Sequence, residues 1–250
     1  MSAPGLGELD LGPSDPYGSP HPPTRCRYDV DLMVFIPAEV RTLVARLRAT
    51  DPARSVFGAN GHNFEFREPI KDGELIAWER EHHVELPAEY RAYLLELGNG
   101  GAGPYYGIFP LGMWDGAGSE LEPFDDELGN LRVPFPHCGA WNLPAERFEQ
   151  PEFENDDEED AWNEMLDTEY FDRSLVNGAI WISHHGCALR TVLVATGSER
   201  GNVWADRRAD YTGIVPHVGN DGRHLGFGDW YMSWLEQCLR DSTAPMTRRS

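Results

Sequence analysis

An α+β fold, with a mostly antiparallel or mixed central sheet packed by several helices, is predicted by the order of patterns along the chain. Apolar residues at helical spacing come first, between positions 37 and 97. Apolar and β-branched segments joined by glycine-containing turns follow, between 178 and 206. A last helical pattern closes the sequence near 229–239.

The first helix is expected over Pro37 to Arg48, where Val40, Leu43, Val44 and Leu47 share one face. A second, opened by Asp72 or Gly73, carries Leu75, Trp78 and His82. The third begins at Pro87, whose missing N–H is harmless in a first turn. Glu89 sits in that turn, where the helix dipole favours a negative charge. Tyr90, Tyr93, Leu94 and Leu97 form its apolar face. Gly98, Asn99, Gly100 and Gly101 can then adopt positive φ, so the helix stops and the chain reverses. Gly107 to Leu111 reads as a short strand.

Beyond a proline-punctuated stretch, Ala179 to Ile182 and Leu189 to Ala195 read as strands. The turn Gly197 to Gly201 leads to Asn202 to Asp206, which pairs back as a hairpin. In the last helix Trp230, Tyr231, Trp234, Leu235, Cys238 and Leu239 occupy two adjacent rows of one face, so it is expected to dock on the sheet. Trp204, Trp230, Tyr231 and Trp234 are accordingly assigned to packing between that helix and the hairpin.

At 250 residues and 40% hydrophobic, the chain can bury a sizeable core. It carries 42 acids against 21 bases, a formal charge of −21. Such a surface repels nucleic acid and anionic membrane and favours a basic protein partner. No apolar run approaches the roughly 18 residues of a membrane span. The first residues lack the basic flank and apolar core of a signal peptide. Cys26, Cys138, Cys187 and Cys238 are widely spaced without a CxxC pair, so they read as reduced thiols of a cytoplasmic protein. Residues 1–28 form a Pro/Gly-rich tail, expected to be flexible, and 241–250 a second. Residues 29–240 are expected to form a single domain with an acidic insertion at about 114–175.

The blocks LPAEYRAYLLELGNGGAGPYYGIFPL (Leu86 to Leu111), HHGCALRTVLVATGSERGNVWADRRADYTGIVP (His184 to Pro216) and FGDWYMSWLEQCL (Phe227 to Leu239) resemble the SUKH superfamily in order and spacing. That superfamily includes the Smi/Knr-type cell-wall regulator domain. The resemblance covers roughly Pro37 to Arg240. It implies a SUKH-type α+β domain over 29–240 without enzymatic activity. It further implies either an immunity protein that neutralises a polymorphic toxin, commonly a nuclease or deaminase, or a regulatory scaffold for several partners. The resemblance does not carry a binding site.

Candidate interface residues come from charge. Between Glu149 and Asp172 there are 12 acids and no base. The run reads as a solvated face that keeps the chain soluble, or as a phosphate mimic for a basic toxin cleft. Glu152, Glu154, Asp156, Asp157, Glu158, Glu159 and Asp160 are the leading partner-binding candidates, with Asp125, Asp126 and Glu127 second. Trp162, Met165, Leu166 and Tyr170 inside the run predict a helix docked by an apolar face with its acids outward.

Other constellations carry less. His82-His83 and His184-His185 lack the spacing of a zinc site, so neither a metal nor a cofactor is expected. Cys187 beside His184 and His185 reads as a buried, inert thiol in a turn, and no catalytic residue is assigned. GNGGAG follows a helix and precedes a strand, the reverse of a P-loop. Asp206, Arg207, Arg208 and Asp210 read as exposed ion pairs of little worth.

Overall fold

The computed structural model describes residues 35–114, 121–123, 129–149, 152 and 155–243. Helix α1 (Pro37–Thr50) buries Val40, Val44 and Leu47 along one stripe. A short turn of helix, α2 (Ala59–His62), follows, and α3 (Asp72–His82) buries Leu75 and Glu79. Helix α4 (Ala88–Ala92) runs on through a π-turn over Tyr93–Leu97. The Arg41 guanidinium donates to the carbonyls of Glu96 (2.6 Å) and Leu97 (3.2 Å), so α1 closes the end of that turn.

The glycine stop behaves as expected at only part of its length. Gly100 (φ +90°) and Gly101 (φ +105°) are left-handed, whereas Gly98 is extended at φ 172°. A Cβ on Gly101 would lie 2.4 Å from the Glu65 carbonyl oxygen, which excludes a side chain there. Asn99 has no positive φ; its side chain accepts the Leu111 N–H at 2.7 Å. The segment expected as a strand, Gly107 to Leu111, makes only isolated bridges, from Ile108 to Gly101 and to Ser183. Pro110 has no N–H to extend a ladder, which limits the pairing to one bridge at each side.

Two short strands, β1 (Met113–Trp114) and β2 (Glu122–Pro123), pair with each other. Helix α5 (Asp156–Met165) continues as a π-turn over Leu166–Tyr170. The main sheet is antiparallel in the order β3 (Ala179–Gly186), β4 (Leu189–Val194), β5 (Val203–Arg207), β6 (Gly213–Pro216). Its register aligns Trp181, Val192, Trp204 and Pro216 across one face. Ser183, Thr191, Ala205 and Val215 align across the other. Thus the α+β class and its antiparallel sheet are observed.

Helix α6 (Phe227–Thr243) packs chiefly on α1 and α4 instead of lying flat on the sheet. Tyr90, Tyr93, Phe227 and Tyr231 are completely or almost completely buried there, with the Tyr93 and Phe227 rings 5.5 Å apart. Tyr93 and Tyr231 both donate their hydroxyls to the Ala102 carbonyl, at 3.3 and 2.6 Å. Trp204 is not part of this packing. It lies on the opposite side of the sheet, against Phe135 (5.1 Å) and His224 (5.4 Å), because the pleat alternates side chains along β5. Trp230 instead approaches His217, just past β6, at 6.0 Å.

Candidate interaction surface

The acidic run becomes α5, and its start is encoded locally. Asn155 is the N-cap; its side-chain oxygen accepts the Glu158 N–H at 3.1 Å, while its amide donates to the Glu158 carboxylate at 3.4 Å. Asn is among the preferred N-cap residues, and the second bond joins the two side chains instead of reaching the cap's backbone N–H. Asp156, Asp157, Glu158 and Glu159 fill the first turn, where their charges face the positive end of the helix dipole.

No residue between Asp156 and Met165 is fully buried. Trp162 and Met165 are half-buried, and only Leu166 and Tyr170, one and two turns after Trp162, are fully buried. The acids therefore point outward, as the spacing predicts, on a helix held by its C-terminal end. Tyr170 is the anchor. Its hydroxyl donates to Asn142 Oδ1 (2.8 Å) and accepts the Gly213 N–H (3.1 Å), and its ring contacts Phe148 at 4.8 Å. Burial pushes its phenol up to about 12, so it stays a neutral donor.

A second anchor lies beneath. Arg208 pairs in a bidentate fashion with Asp206, Nε to Oδ1 at 2.9 Å and Nη2 to Oδ2 at 2.7 Å. Its remaining Nη1 donates to the Tyr170 and Asp172 carbonyls, each at 3.1 Å. Both side chains are buried, which corrects the expectation of an exposed, weak pair. Only Arg207 and Asp210 form the exposed pair foreseen, at 2.7 Å. Strand alternation does not separate them, because Val203 to Asp206 are all buried and only Arg207, at the end of β5, is exposed. Arg147 adds a surface pair with Glu169 at 2.5 Å.

Among the interface candidates, Glu152 and Asp156 to Asp160 are exposed, the last five on one helix. Glu154, Asp125, Asp126 and Glu127 lie outside the described residues.

Three of the four paired histidines sit in aromatic stacks, and His83 is the exposed C-cap of α3. His82 lies on Trp78 at 4.0 Å and hydrogen-bonds through Nδ1 to the Trp78 carbonyl. His184 stacks on Tyr106 at 4.7 Å. His185 stacks on Tyr105 at 3.5 Å and hydrogen-bonds to Thr191 Oγ1 at 2.7 Å. Burial pushes His185 down to about 4. Among the described residues, no group of three or more His, Cys, Asp or Glu side chains is placed to hold a metal ion. Cys187 is exposed, not buried. It and Ala188 are the two left-handed residues (φ 52° and 59°) of the β3–β4 turn, a geometry that lifts both side chains off the sheet end.

The class defined by this architecture is a mixed α+β protein displaying an acidic helix. Comparison of the chain with family models, curated proteins and solved structures gave no match. No helix among the described residues is long and apolar enough to cross a membrane.

Proposed function

We propose that the protein is a non-enzymatic, cytoplasmic immunity protein of SUKH type. It binds a cognate toxin domain directly and neutralises it, with α5 as the contact. The observation that carries this reading is the exposure of Asp156, Asp157, Glu158, Glu159 and Asp160 on a helix whose far end is locked by Tyr170 and Arg208. A rigid negative surface of this kind suits the basic cleft of a nuclease or of another enzyme acting on a polyanion. It accelerates encounter by steering and gives up that advantage as salt rises. Pre-ordering the helix also lowers the entropic cost of docking.

The test pairs the full chain with the product of the adjacent gene as the candidate toxin. Protection of cells in co-expression is expected from the native chain. Loss of protection is expected when the five acids are changed together to Asn or Gln, which keeps side-chain size. Binding that is equally tight for the two forms at low salt would remove α5 from the interface.

A further inference from the structure

A second built feature lies away from the acidic helix. A cavity of about 370 Å3 is lined by Phe57, Tyr105 and Trp234, with Val56, Cys238, Asp241 and the two serines Ser55 and Ser242 completing the wall. Its frame is fixed from several sides. The Asp51 carboxylate holds the loop before Phe57, accepting the Ser55 N–H (2.9 Å), the Ser55 hydroxyl (2.8 Å) and the Val56 N–H (3.0 Å). Gly58 then passes against the next wall so closely that a Cβ on it would lie 1.9 Å from the Tyr105 carbonyl oxygen. Tyr105 itself is left-handed (φ 56°) and backed by the His185 ring. Strained backbone held in place by such packing is concentrated at ligand-binding positions. Trp234 is set edge-on against Tyr231 (5.4 Å) and His62 (6.2 Å). Phe57 remains 60% exposed at the rim, although Tyr106 supports it at 5.3 Å.

The chemistry of the lining is one-sided. Three aromatic residues, one carboxylate and the two serines line the space, and no Lys, Arg or His among the described residues lines it. The Cys238 thiol, pushed up to about 11 chiefly by burial, adds no charge near neutral pH. An anion finds no cationic partner among these lining residues, and a purely apolar guest would strip water from Asp241, leaving its carboxylate only the Gln237 amide (2.9 and 3.0 Å) as a partner among the described residues. Aromatic faces beside a carboxylate are the surroundings that attract an alkylammonium ion. The volume lies near the lower end of small-molecule clefts, which points to a compact guest.

We infer that the cavity between the Phe57 loop, Tyr105 and α6 is a binding site for a small organic cation of the alkylammonium type. The rings of Phe57, Tyr105 and Trp234 take the alkyl groups and Asp241 the charge. This site stands independently of the toxin reading, since it shares no residue with α5.

The experiment is a chemical-shift titration of the Trp234 indole N–H in the full-length chain. The probes are choline, the uncharged alcohol in which carbon replaces its nitrogen, and pivalate as an anion. Choline is expected to give a saturating shift, and the alcohol and pivalate none. Asp241→Asn is expected to weaken choline about threefold, the scale of an exposed ion pair. Phe57→Ala is expected to do the same through a lost cation–π contact. Both positions are exposed, so neither variant should unfold the protein. The inference is overturned if choline gives no saturating shift, if the alcohol binds as tightly as choline, or if both variants bind choline like the native chain.

Discussion

Helix α5 and the aromatic cavity beside α6 present opposite solutions to the making of a recognition surface. On α5 the groups that would meet a partner are all charged and all exposed, and rigidity is supplied from the far end by Tyr170 and Arg208. At the cavity three aromatic residues stand beside a single carboxylate, and rigidity is supplied from behind by Asp51, Gly58 and His185. The first surface depends on field and so on ionic strength. The second depends on shape and on the protonation state of what lies beneath it.

That difference predicts where the molecule breaks. The largest effect is expected from acid. Burial pushes His62, His185 and His217 down to about 4 from an ordinary 6.5. In the unfolded chain they take up protons near 6.5, while the folded chain keeps them neutral. The unfolded state therefore binds more protons between pH 6.5 and 4, and stability falls as pH drops through that window. The loss approaches ~1.4 kcal/mol per pH unit for each histidine. Urea midpoints at pH 7 and pH 5 measure it, and equal midpoints would show that these rings are hydrated.

Next comes Arg208→Ala, which leaves Asp206 buried without its partner and frees the end of the acidic helix. A loss of about 3–5 kcal/mol in urea unfolding is expected. Arg207→Ala, one position away and exposed, should cost less than about 1 kcal/mol. Gly58→Ala attacks the other surface, forcing a Cβ into the Tyr105 carbonyl from a left-handed backbone. It should cost about 3 kcal/mol and disturb the Trp234 indole resonance while leaving α5 unchanged. Smallest is the joint Asn/Gln replacement of Asp156 to Asp160. Thermal unfolding should shift by an amount equivalent to about 1 kcal/mol or less, since the helix keeps its Asn155 cap and loses only dipole-favoured surface charge.

The elements legible in the sequence were those with their own periodicity. Val40, Val44 and Leu47 announced α1, and the run Leu189 to Val194 announced β4. Leu166 and Tyr170 announced the docked end of the acidic helix, although Trp162 and Met165 stay half-buried. What could not be read was long-range placement. β6 is short and begins with a left-handed Gly213, so only its pairing with β5 makes it a strand. α2 spans one turn between left-handed Gly58 and Asn63, too short for any period. Trp204 resembled the tryptophans of α6 in type, but face is set by register, which composition does not carry. Phe57 gave no signal, because a loop residue becomes a wall only when Tyr105 and α6 are brought to it.

The rims of the main sheet have a further consequence. Ile214 on β6 exchanges both backbone hydrogen bonds with Trp141, at 2.8 and 2.9 Å, and β3 receives the Phe109 N–H at Ile182. Each outer strand thus meets a piece of its own chain at mid-length, where an exposed ladder would invite a foreign strand. Another polypeptide cannot lengthen the sheet there without first displacing Trp141 or Phe109. Assembly with other molecules is thereby directed to side-chain surfaces, and self-templated stacking of these sheets is blocked at the middle of both borders.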